Sequence, residues 1–194
     1  MNATEHIIES YFRLCRGCFT CSDRKVVGGN NRQLDLLAYD LNLKQPYHIE
    51  VSVTHQKNWC LSREGLKYEF ERKFFGVPPK RESKTGRPTD YEMGKSFFLQ
   101  IEQTYKDVGF DPDDVKRVWV CWIVKGEENS KQLNVSYHFE QLKRDFDIEV
   151  LSLRDFILPQ LEDKIGTAYY DDEILRVLGL LKERDKQRHN ENHS

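Results

Sequence analysis

The chain has no apolar run near the roughly 18 residues that a membrane-spanning helix needs, so insertion into a bilayer is not expected. An excess of one charge is also missing. Thirty basic and 32 acidic residues leave a net charge of −2 over 194 residues. The chain is therefore no polycation, and any contact with nucleic acid must come from basic side chains grouped on one face. The first thirteen residues carry acids where a signal peptide has a basic start and an apolar stretch, so secretion is not expected. Five cysteines are an odd number, which argues against a disulfide scaffold and for a reducing compartment, the cytoplasm. No glycine loop precedes a helix in the manner of a phosphate cradle, because Gly28 and Gly29 sit between two strands. What is present is a large aromatic complement of eleven Phe, nine Tyr and three Trp. That suffices for a core, so wholesale disorder is excluded, and the length suits one domain.

Hydrophobic periodicity organises the chain. Residues 4–15 read as a helix capped by Thr4, with Ile7, Ile8, Tyr11, Phe12 and Leu14 as its apolar stripe. Residues 19–27, 34–39 and 47–54 read as three strands joined by tight turns, the first turn marked by Gly28-Gly29-Asn30-Asn31. Residues 62–75 form a helix on Leu66, Phe70 and Phe74. Residues 76–94 hold three prolines, three glycines and the basic Lys80, Arg81, Lys84 and Arg87, and read as a mobile loop. Its functional reading is a segment ordered on a DNA backbone. Helices are expected at 92–108, 137–145, 155–165 and 171–183, with strands at 118–124 and 148–153. The result is a single α/β domain over 1–184, a mixed sheet flanked by helices with extra C-terminal helices, followed by a polar tail at 185–194 expected to fray.

Three acids occupy informative positions. Glu9 lies mid-helix between Ile8 and Phe12, Asp35 inside Leu34-Asp35-Leu36, and Glu50 inside Ile49-Glu50-Val51. A carboxylate inside a short apolar strand costs several kcal/mol unless it is paired or binds a metal. Two such acids on neighbouring strands can converge on one hard cation such as Mg²⁺, which prefers oxygen ligands. Mutual repulsion then predicts that Asp35→Ala or Glu50→Ala leaves metal-free stability unchanged or raised. The open alternatives are strand acids facing solvent, and a Glu9 that pairs with Arg13 one helical turn on.

With these residues in this order, the chain resembles the PD-(D/E)xK nuclease superfamily, which includes restriction endonucleases and Holliday-junction resolvases. The matching pieces are Glu9, Asp35 within Gly29-Asn-Asn-Arg-Gln-Leu-Asp-Leu-Leu-Ala-Tyr-Asp40, and Glu50 within Ile49-Glu-Val-Ser52, over residues 4 to about 75. The resemblance implies a restriction-endonuclease-like αβββαβ core and Mg²⁺- or Mn²⁺-dependent hydrolysis of DNA phosphodiester bonds, in some relatives as a homodimer. It also implies metal ligation by Asp35, Glu50 and the Val51 carbonyl, with Glu9 holding a metal-bound water or second ion. The departure is Ser52, where the family has lysine. Lys57 or Lys67 is the expected substitute; otherwise the chain is a degraded nuclease-fold module that binds nucleic acid or a protein.

Cys15, Cys18 and Cys21 are spaced C-x₂-C-x₂-C, which raises a zinc or iron–sulfur site against the plainer reading of buried small hydrophobes. His48 reads as a partly exposed strand residue. His55, near the strand end, is a candidate for a phosphate contact. Trp119 and Trp122 read as core or interface.

Overall fold

The computed structural model describes residues 2–80, 89–91, 93–166 and 170–191. Helix α1 (Ala3–Leu14) is capped by Asn2 rather than Thr4: Asn2 and Glu5 exchange hydrogen bonds in a capping box. Strands β1 (Cys18–Lys25), β2 (Gln33–Asp40) and β3 (Gln45–Val51) form the expected antiparallel meander. The β1–β2 turn needs left-handed backbone at Gly28, Asn30 and Asn31, residue types that tolerate it. Helices α2 (Arg63–Lys73) and α3 (Phe98–Asp107) carry the chain across to β4 (Lys116–Cys121), which lies parallel to β3.

The order in the six-stranded sheet is β1-β2-β3-β4-β6-β5. The domain is therefore α/β with a mixed sheet. Its last two strands are β5 (Gln132–Phe139) and β6 (Arg144–Ser152), an antiparallel pair with β6 parallel to β4. The expected helix over 137–145 is thus corrected to the end of one strand, a turn and the start of the next. Val135, Tyr137 and Phe139 are buried while Asn134, Ser136 and His138 are exposed, a period of two that a helix cannot satisfy. The expected helix over 155–165 divides into a π turn (Leu153–Ile157) and α4 (Leu158–Lys164). Helix α5 (Glu173–Glu191) continues well past Arg184, where fraying was expected. Of the expected loop over 76–94, residues 81–88 and 92 lie outside the described residues. Among its described residues, Val77 is buried and Lys80 lies 5.0 Å from the Tyr91 ring centre.

Two cores sandwich the sheet. On one face Ile8, Tyr11 and Phe12 of α1 pack against Leu36, Ala38, Ile49, Val118 and Leu151. On the other, Phe70, Phe74 and Phe75 meet Phe98, Trp119, Phe139 and Phe146. Alternation along β2 and β3 thus sends Leu36, Ala38 and Ile49 to α1, and Asp35, His48 and Glu50 to α2 and α3. No helix among the described residues is long and apolar enough to cross a membrane.

Candidate active site

The β2–β3 register pairs Leu36 with Ile49, which puts Asp35 opposite Glu50 on the α2 face. Each carboxylate is held. Asp35 Oδ2 accepts the Val51 N–H at 2.9 Å. Glu50 is wholly buried, and its Oε1 lies 2.8 Å from His48 Nε2. His48, two residues back on the same strand face, is equally buried, not partly exposed as its strand position suggested. Its Nδ1 lies 2.7 Å from the hydroxyl of buried Tyr105 on α3. Burial, aided by the Arg117 charge, holds His48 well below its ordinary value, so it is neutral. A carboxylate only accepts, so His48 carries its proton on Nε2 and Tyr105 donates to Nδ1.

The cation of the site is Lys73. Its Nζ lies 2.7 Å from Glu50 Oε2, and 3.4 and 3.5 Å from the two oxygens of Asp35. Burial works against the ammonium, but Glu50 and Asp35 outweigh it and leave Lys73 above its usual value. The structure does not bring Lys57 or Lys67 to the carboxylates. Lys57 reaches Glu128 at 3.6 Å from an exposed 3₁₀ turn, and Lys67 pairs with Glu64 at 3.3 Å on the outside of α2. The helix explains the difference. Leu66, Phe70 and Phe74 define the inward stripe; Lys67 and Lys73 flank it on opposite sides, each about 60° from its centre, and only Lys73 stands at the flank and end of α2 that meet the carboxylates. The sequence carries no spacing signal that singles out Lys73, because Lys67 stands seven residues before Phe74 as Lys73 stands seven after Leu66. Ser52 is exposed two residues beyond Glu50, and Lys73 approaches the carboxylates from the helix above that strand face.

Glu9 is not brought to this group. It lies on the α1 side of the sheet, where its Oε1 accepts the Thr20 hydroxyl at 2.7 Å. This bond, rather than a pair with Arg13, accounts for its burial. Among the described residues no three His, Cys, Asp or Glu side chains are arranged to hold a metal ion together. Cys18 is buried on the α1 face while Cys21 is exposed on the other, because residues three apart on a strand point oppositely, and Cys15 donates to the Gln160 carbonyl. His55 is exposed past the end of β3. Trp119 is core, packed on Phe70 and Phe74.

Asp35 is pushed up to about 6, first by burial and then by the charge on Glu50, against the pull of Lys73. Burial also raises Glu50, against Lys73. When both are ionised, the two acids carry two negative charges against the single ammonium that reaches them. Two fixed hard-oxygen carboxylates with residual cation demand fit a divalent ion such as Mg²⁺ or Mn²⁺. The same asymmetry sets the pH dependence of stability. Between the ordinary aspartate value and about 6 the folded state binds more protons than the unfolded chain, so rising pH lowers stability through this window. Asp35→Asn is expected to gain about 1–2 kcal/mol over wild type as pH rises from about 4 to 6, and to hold it above that. Metal-free urea unfolding at several pH values measures this; a variant less stable than wild type at pH 7 would contradict it.

Basic residues gather at this end of the sheet. Arg24 and Lys25 are exposed at the end of β1, beside β2. Arg32, in the β1–β2 turn, donates to the Arg72 carbonyl just before Lys73, tying the turn to the end of α2. No protein-family model matches the chain, and neither the curated proteins nor the solved structures gave a match.

Proposed function

We propose that the protein is a divalent-metal-dependent endonuclease that hydrolyses DNA phosphodiester bonds, with a restriction-endonuclease-like core. One observation carries the reading. The lysine missing at Ser52 is replaced in space by Lys73, whose ammonium meets Asp35 and Glu50 from α2. The acids on two adjacent strands and a lysine at the same point reproduce the set of charges such a reaction needs, although the lysine comes from a different element.

Asp35 and Glu50, with the Val51 carbonyl, would hold Mg²⁺ or Mn²⁺. Bound there, such an ion supplies water activation and neutralises charge developing on the phosphate. The chain's own contributions follow from the geometry. The Val51 N–H orients Asp35, and His48 fixes Glu50 through a tautomer set by Tyr105. Lys73 offers a positive charge for a phosphate oxygen, and Arg24 and Lys25 provide exposed charge for the flanking backbone.

The test is cleavage of duplex, single-stranded and branched DNA in Mg²⁺ and in Mn²⁺. Wild type is expected to cut at least one, and Asp35→Asn and Lys73→Ala to be slower by on the order of 10³-fold or more, the scale of losing a key electrostatic group. The complete burial of Glu50 favours a second reading, a non-catalytic module in which Lys73 closes the acid pair permanently. DNA binding without cleavage, together with cleavage gained in Ser52→Lys, would establish that reading instead.

A further inference from the structure

We infer that Lys73 and a divalent cation are alternative occupants of the Asp35–Glu50 site, so that metal entry displaces the ammonium from between the two carboxylates. The inference rests on the functional reading only for what the displaced lysine then does.

The two sides of the ion group differ in freedom. The acceptors are fixed: Glu50 is wholly buried and bonded to His48, and Asp35 is tied to the Val51 N–H. The occupant is not. Lys73 ends α2 on a flexible four-carbon stem and its side chain is 30% exposed. Its Nζ lies within 2.7 Å of one carboxylate and 3.4 Å of the other. A Mg²⁺ ligated by these oxygens stands about 2.1 Å from them. That places it no more than about 4.8 Å from the present Nζ position, close enough for the two cations to repel strongly in a poorly solvated site. The guanidinium of Arg32 does not serve as occupant, since it is engaged with the Arg72 carbonyl and the Phe97 ring. Ammonium and metal therefore exchange. In the metal-free state Lys73 neutralises part of the charge on the acid pair. In the metal-bound state it is released toward the mouth of the site, where under the nuclease reading it meets the phosphate. One residue thereby couples cation entry to delivery of the catalytic charge.

Isothermal titration with Mn²⁺ alone tests this on the full chain, comparing wild type with Lys73→Met, which keeps the stem and removes the competing charge. Lys73→Met is expected to bind one Mn²⁺ at least 10-fold more tightly, and Glu50→Gln in that background to abolish the gain. Binding by the variant alone would equally support exchange. Equal or weaker binding by Lys73→Met, or no binding by either protein, would overturn it. Should Lys73→Met fail to fold, amine acetylation of wild type read by mass spectrometry decides the matter. Mn²⁺ is expected to raise modification of Lys73 several-fold, and an unchanged or lowered extent would overturn the inference. Exchange without DNA cleavage would refute the nuclease reading and leave the exchange standing.

Discussion

Glu50→Ala is expected to destabilise the fold by about 3–5 kcal/mol, the scale of removing one partner from a buried ion pair. The carboxylate is wholly buried and accepts from two groups at once, Lys73 at 2.7 Å and His48 at 2.8 Å. Alanine leaves an imidazole N–H without an acceptor in the core and an ammonium with only its longer contacts to Asp35. Repulsion between the two acids, which on sequence grounds alone predicts a neutral or stabilising substitution, is the smaller effect here because Lys73 stands between them. Asp35→Asn keeps the opposite sign, since Asp35 is the acid that burial and Glu50 together hold high. Urea unfolding of Glu50→Ala, Glu50→Gln and Asp35→Asn at pH 7 separates these effects. Glutamine retains the volume and one acceptor, so its loss should be smaller than alanine's. A Glu50→Ala protein within 1 kcal/mol of wild type, judged against the usual scale of broken buried pairs, would mean that the acid does not hold this network together.

Phe75→Ala is expected to cost a similar amount, about 3–5 kcal/mol, or on the order of 10 °C in Tm for a chain of this size. Its ring lies 4.6 to 5.7 Å from those of Phe139, Phe146, Tyr137 and Phe98, and the Arg117 guanidinium lies 5.3 Å from its centre. No neighbour can collapse into the space without breaking several of these contacts. The residue also anchors the end of α2. Directly after it, Gly76 takes a left-handed conformation and packs so closely on Phe97 that a Cβ would sit 2.9 Å from its backbone. Lys73 stands two residues before this anchor. Thermal unfolding should therefore show the loss of stability, and Mn²⁺ titration at a temperature where the variant is still folded should show weaker discrimination between wild-type and methionine at position 73. Phe75→Leu, which refills most of the volume, is expected to recover most of both. Equal losses for leucine and alanine would argue that the aromatic contacts, rather than volume, hold the turn.

The sequence determined the local elements wherever a short period repeats against unambiguous turns. The three-strand meander was legible because Gly28-Gly29-Asn30-Asn31 can turn and few other sequences can. The acids Asp35 and Glu50 stood out because a charge between two apolar strand residues demands a partner. Where two periods compete, local reading failed. In the stretch over 137–145, apolar residues fit a helix about as well as a strand, and only pairing with β6 decides, since β6 supplies the hydrogen bonds and the buried face.

The partners of the acids were decided by tertiary structure alone. Nothing local distinguishes Lys73 from Lys67 or Lys57 as a cation; what distinguishes it is that α2 packs Leu66, Phe70 and Phe74 onto the sheet and so points Lys73 at Glu50. His48 became part of the site because α3 covers it with Tyr105, and Glu9 was separated from it because α1 packs on the opposite face of the sheet. A side chain's type follows from the chain, and periodicity can suggest its face. Its partner depends on which helix lands on that face, which is settled by the packing of residues distant in sequence.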